Sequence, residues 1–184
     1  MYEELISVAQ AQINRLHADV HRTFKLRRKS SEHWREWEVA CERFHEHVSP
    51  IDELMERCHG PEFPQCSELR EFAVVFLEFD PAFFRSGYFK EYLIDRLKTH
   101  PHDARTRSRL GAVVVEAAKT RGTREFRRYC RLAAHVVTPK VILELRGLLT
   151  DQCGAVRSRA ALMLQYIARH GHPRMDETRV PDPT

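Results

Sequence analysis

Residues 138–170, TPKVILELRGLLTDQCGAVRSRAALMLQYIARH, read as two helices joined by a short turn. Thr138 and Pro139 open the first: a hydroxyl that can cap free N–H groups, then a residue with no N–H to satisfy. Val141, Ile142, Leu145, Leu148 and Leu149 follow at i, i+1, i+4, i+7 and i+8, the pattern of one helix face. Asp151 comes next, placed to accept from N–H groups near the start of the second helix. Val156 and Arg157 begin that helix, and Ala160, Leu164 and Ile167 continue its apolar face. The small side chains of Ala160 and Ala161 let two helices approach closely.

Arg157-Ser158-Arg159 has a counterpart 50 residues earlier in Arg107-Ser108-Arg109, each followed by an Ala-rich or Val-rich helix. An amphipathic helix precedes each, over about 82–98 and about 139–149. The segment 138–170 resembles a HEAT repeat: helix A, a turn with Asp, then helix B opening on Val-Arg. In that family the Asp and Arg can bond between neighbouring repeats, a role the resemblance carries to Asp151 and Arg157 alone. The earlier copy has Pro101 and Thr106 where the later has Asp151 and Val156. A further helix at 123–137 makes the unit more armadillo-like. The resemblance implies a short helical stack that holds a partner along one surface.

Outward from this segment, helical spacing recurs along almost the whole chain. A helix over about 3–28 carries Leu5, Ala9, Ile13, Leu16, Val20 and Phe24. Ser30 and Ser31 offer a cap for a second, with Trp34, Trp37, Cys41, Phe44 and Val48 as the seam of an antiparallel hairpin. Ser49-Pro50 starts a short third helix, and GPEFPQ, residues 60–65, is a loop that marks a sub-domain boundary. Ser67 caps a helix with Leu69, Phe72, Ala73, Phe76 and Leu77 inward; Asp80-Pro81 ends it and opens 82–98. Helices at 104–120, 123–137, 139–149 and 155–170 complete the chain. The β-branched runs 73–76, 113–115 and 136–137 admit a strand reading, but their flanks are strong helix formers. The expectation is an all-α fold: an N-terminal helical hairpin over 1–60, HEAT-like repeats over 61–170 and a loose tail over 171–184.

Seven Gly and nine Pro in 184 residues are too few for a turn-rich all-β protein. The opening MYEELISV has no basic end followed by an apolar stretch, and the longest nearly apolar run, 72–77, is far short of a membrane span. Five scattered cysteines suit reduced thiols, so a cytoplasmic protein without membrane contact is expected. The net charge of +4 is unevenly spread: +3 over residues 1–31, −9 over 32–80 and +10 over 81–184. Such polarity gives an acidic and a basic region that can meet different partners.

Helix 123–137 carries the strongest candidate site. At about 100° per residue, Cys130, Ala133 and Val137 fall within about 40° of Phe126, an inward face. Arg127, Arg131, Arg124 and Arg128 fall between about 100° and 200°, nearly opposite, with Arg121 just before the helix. Arg107 and Arg109 sit on the neighbouring helix. Guanidinium forks match carboxylates and phosphates alike, so this surface suits an acidic protein or a nucleic acid. The alternative is a solvated face of an arginine-rich chain, or one neutralised by the ridge Glu38, Glu42 and Glu46.

His17 with His21, and Cys41 with His45, stand one helical turn apart, but no knuckle or zinc-protease pattern accompanies them and no metal is expected. Trp34 and Trp37 suit core packing better than a stacking platform. No Gly-rich phosphate loop or nucleophile elbow is present. The expected role is therefore a non-enzymatic protein-binding module without cofactor, a scaffold or a small inhibitor or immunity-type binder. A HEAT-like nucleic-acid binder using the same arginines is the alternative.

Overall fold

The computed structural model describes residues 1–120, 122 and 125–171. Ser30 organises the first turn of the chain. Its backbone is extended, and its Oγ accepts the His33 N–H at 3.2 Å, one of the donors a helix start leaves open. It separates α1 (Tyr2–Leu26) from α2 (Ser31–Glu46). The two run antiparallel, since Phe24 meets Trp37 near one end and His17 meets Phe44 further along. α3 (Asp52–His59), α4 (Ser67–Phe79) and α5 (Ser86–Leu97) follow. Then come α6 (Ala104–Thr120), α7 (Phe126–His135), α8 (Pro139–Gly147), a 3₁₀ turn Leu148–Thr150 and α9 (Gly154–His170). The described residues contain no strand, and none of their helices is long and apolar enough to cross a membrane. The all-α expectation holds.

The chain forms two compact units, Met1–Pro101 and His102–Thr184. The loop at 60–65 thus lies inside the first unit, and its chemistry explains why. Phe63 is fully buried under the Arg96 guanidinium, 5.1 Å from its ring centroid. Arg96 donates to the Gly60 carbonyl at 2.7 Å, and the Tyr92 hydroxyl donates to Cys58 at 3.2 Å. An apolar plug and two hydrogen bonds from α5 hold the loop where Gly and Pro alone would suggest a linker.

α4 is the centre of this unit. Residues 72–77 are all buried, so the β-branched Val74 and Val75 gain packing that outweighs their modest helix propensity. Phe76 meets Phe89 of α5 edge-on at 4.9 Å, and Tyr2 of α1 meets Phe72 at 5.5 Å. α4 meets α1 near its start, where Tyr2 packs on Phe72 and Ile6 and Ala9 are buried. Further along, α1 and α2 pack on each other and on Phe84. Trp34 and Phe24 stay 43% and 45% exposed, and Val48, past the end of α2, is exposed outright. The expected tryptophan core is therefore an open aromatic cluster.

Asp80 ends α4 in the left-handed region (φ 53°), which a short carboxylate side chain tolerates. Arg85 also has positive φ (67°), so 82–85 is not helical and α5 begins at Ser86, later than the spacing predicts. The reward is an ion pair: Lys90 is 1% exposed with its Nζ 2.7 Å from Asp80 Oδ1. The Ala82 backbone is bracketed by Gln10, which accepts its N–H at 2.6 Å, and Asn14, which donates to its carbonyl at 2.9 Å.

In the second unit α6 packs against α7, α8 and α9. Val113, Val114 and Val115 lie within α6 and are all buried; residues 136–137 follow α7 without forming a strand. Thr138 caps α8 as its sequence predicts, its hydroxyl accepting the Val141 N–H at 3.2 Å with Pro139 in the first turn. On α9 the inward face is Val156, Ala160, Met163 and Ile167; Ala161 is exposed. α7 is shorter than 123–137, and Thr123 and Arg124 lie outside the described residues, as does 172–184 of the expected tail.

Two substitutions test these contacts. Asp80→Asn keeps a residue suited to positive φ but removes the charge facing a buried ammonium, with an expected loss of about 3 kcal/mol in urea denaturation. A loss below about 0.5 kcal/mol would show that the pair is dispensable. Gly111→Ala would gain about 1 kcal/mol from helix propensity alone, yet its Cβ would lie 2.7 Å from Val141 Cγ2. We expect a net loss of about 1–2 kcal/mol, and a double mutant with Val141→Ala that loses less than the two single losses combined.

Candidate functional site

The geometry of α7 follows from its apolar residues. Phe126, Tyr129, Cys130, Leu132, Ala133 and Ala134 are all buried, so more of the helix faces inward than Phe126, Cys130 and Ala133 alone predict. The remaining arc presents Arg127, Arg131 and His135 as exposed residues, with Arg128 half-buried at its edge. Arg127 and Arg131 are one turn apart and pair with no carboxylate among the described residues. Arg128 is engaged by other groups of the protein. Arg121 and Arg124 lie outside the described residues.

Arg107 and Arg109, both half-buried, are also engaged. Arg107 donates to the His102 carbonyl at 3.2 Å, five residues back in the approach to α6. Arg157, its counterpart 50 residues on, donates to the Gln152 carbonyl at 3.0 Å and to the Asp151 carbonyl at 2.7 Å. α6 and α9 are both 17 residues long and begin 50 residues apart. The two arginines thus brace the turns before two helices of matching length. The Asp151 carboxylate accepts the Cys153 N–H at 2.8 Å within its own turn. Arg159 donates to the carbonyls of Ala118 at 2.7 Å and Lys119 at 2.5 Å, closing the C-terminal end of α6. These arginines do structural work, which leaves Arg127 and Arg131 as the uncommitted cations of the predicted set among the described residues.

The acidic ridge is solvated. Glu38, Glu42 and Glu46 are exposed and form no ion pair among the described residues. His17 and His21 meet edge-on at 4.6 Å, and His17 also packs against Phe44 and Phe84, an aromatic environment. Among the described residues no group of three or more His, Cys, Asp or Glu side chains could hold a metal ion. Sequence spacing missed a second basic surface, lined by Arg15 and Arg22 of α1, Arg43 of α2 and His47 just past its end. The only signal was Arg15 and Arg22 two turns apart and Arg43 and His47 one turn apart, on helices whose relative rotation the spacing does not give.

No family model, curated protein or solved structure matches this chain. The residues must carry the functional reading by themselves.

The cysteines divide by environment. Burial pushes the Cys58 thiol up to about 12 and the Cys130 thiol up to about 11. Cys153 is exposed at the start of α9, where the backbone N–H groups of Val156 and Ala155 favour its thiolate and lower its pKa. A lowered pKa means more thiolate at any given pH below it. Limited iodoacetamide treatment near neutral pH is therefore expected to label Cys153 first, with a half-maximal rate below the usual thiol pH and Cys58 and Cys130 unlabelled until denaturation. Peptide mapping showing Cys58 or Cys130 labelled first would contradict this packing.

Proposed function

We propose that the second unit is a non-enzymatic protein-binding module of the helical-repeat kind, with α7 supplying the charged part of its contact surface. One observation carries the reading: Arg127 and Arg131 are exposed and unpaired among the described residues, on a helix whose other sides are buried. A buried face fixes the helix, so the two guanidinium groups project from a rigid support and lose less freedom on binding than loop side chains. The matching lengths of α6 and α9, and the equivalent bonds of Arg107 and Arg157, support a repeat origin for the unit. In this reading, Asp151 and Arg157 are the residues of the HEAT-like turn. The favoured partner is a protein with an acidic surface, because two forks one turn apart match carboxylates at similar spacing.

The test compares affinity capture from the native cell by the wild-type chain and by Arg127→Glu/Arg131→Glu. Both positions are exposed, so folding should survive, as circular dichroism can verify. A partner bound through this face should fall at least tenfold in recovery with the double variant, since paired interface arginines contribute about 1–2 kcal/mol each. Identical captured sets would reject the assignment. Binding of a labelled DNA or RNA duplex with a steep salt dependence, log K falling by about 0.9 per phosphate neutralised, would instead favour a nucleic-acid partner.

A further inference from the structure

A groove of about 630 Å³ runs between α1 and α2, in the unit that the preceding proposal does not use. Its volume is that of a small-molecule site. Arg15, Asp19 and Arg22 line it from α1, Arg43 from α2 and His47 from just past the end of α2. Leu16 and Ala18 supply an apolar stretch of wall.

The electrostatics are lopsided: three guanidinium groups face one carboxylate. Asp19 is already committed, accepting from Arg22 Nε at 3.1 Å and Nη2 at 2.5 Å. That pairing holds the Arg22 fork in place and leaves Arg15 and Arg43 with no partner among the described residues, on opposite sides of the groove. His47, the residue after α2, completes the lining. A bound anion would bridge the two unpaired cations.

We propose that this groove binds a phosphate monoester carrying a small apolar body. A carboxylate fills one guanidinium fork. A tetrahedral dianion has enough oxygens to take two forks arriving from facing helices. The apolar wall then receives the organic part of the molecule. The role of each residue is binding: Arg15 and Arg43 hold the phosphoryl oxygens, Arg22 contributes charge and Asp19 orients Arg22.

The experiment titrates the full chain with phenyl phosphate by calorimetry and by amide chemical-shift mapping, with benzyl alcohol as the uncharged control. Saturable binding with Kd of about 1 mM or tighter is expected. Shifts should be confined to 12–22 and 43–47, with none from benzyl alcohol. Arg15→Gln/Arg43→Gln should weaken binding at least tenfold. Arg127→Gln/Arg131→Gln should leave it unchanged. Absence of saturable binding overturns the proposal. So does equal affinity in the Arg15/Arg43 variant, or an equal loss in the Arg127/Arg131 variant, which would reveal unspecific attraction to arginine. The α7 variants are silent in this assay if the groove is the site, so its failure leaves the α7 reading standing and the reverse also holds.

Discussion

A ten-residue helix that buries six of its side chains has one arc left, and that constraint shapes the functional surface of the second unit. Phe126, Tyr129, Cys130, Leu132, Ala133 and Ala134 occupy every direction that leads into the core. Charged groups on α7 have only the remaining strip, because a guanidinium cannot be desolvated without a partner. Packing against α6 and α9 therefore does two things with one set of contacts. It stabilises the unit, and it aims Arg127 and Arg131 at solvent from a fixed base.

Arginine is used in this protein in distinct ways that composition does not separate. Arg107, Arg157 and Arg159 serve the backbone, donating to carbonyls that helix ends and turns leave without partners. Arg96 seals a loop over Phe63. Arg15, Arg43, Arg127 and Arg131 have no such employment among the described residues and stand at two surfaces in different units. The acidic ridge of α2 is likewise exposed and forms no ion pair among the described residues.

The local grammar of the chain was largely legible. Ser30 and Thr138 cap helices because their hydroxyls reach an N–H three residues on, an effect confined to four residues of sequence. Asp80-Pro81 stops α4 for an equally local reason. The start of α5 was misjudged because Arg85 adopts positive φ, and what holds that conformation, including the Lys90–Asp80 pair, spans ten residues. The loop at 60–65 lies inside one compact unit with Phe63 buried beneath α5, a contact that loop composition does not announce.

Apolar spacing, caps and breakers, all interactions within about one helical turn, were enough for the sequence to determine an all-helical chain, most of its helix limits and the outward strip of α7. Tertiary structure alone decided which arginines remain uncommitted, since Arg107 and Arg128 resemble Arg127 and Arg131 in type and spacing and differ only in what lies beside them. It also decided that Trp34 stays exposed, and that Arg15 and Arg22 share a groove with Arg43 and His47. Helical period states which residues share a face. The rotation of one helix against another depends on how two whole surfaces interlock, and no short stretch of sequence contains that.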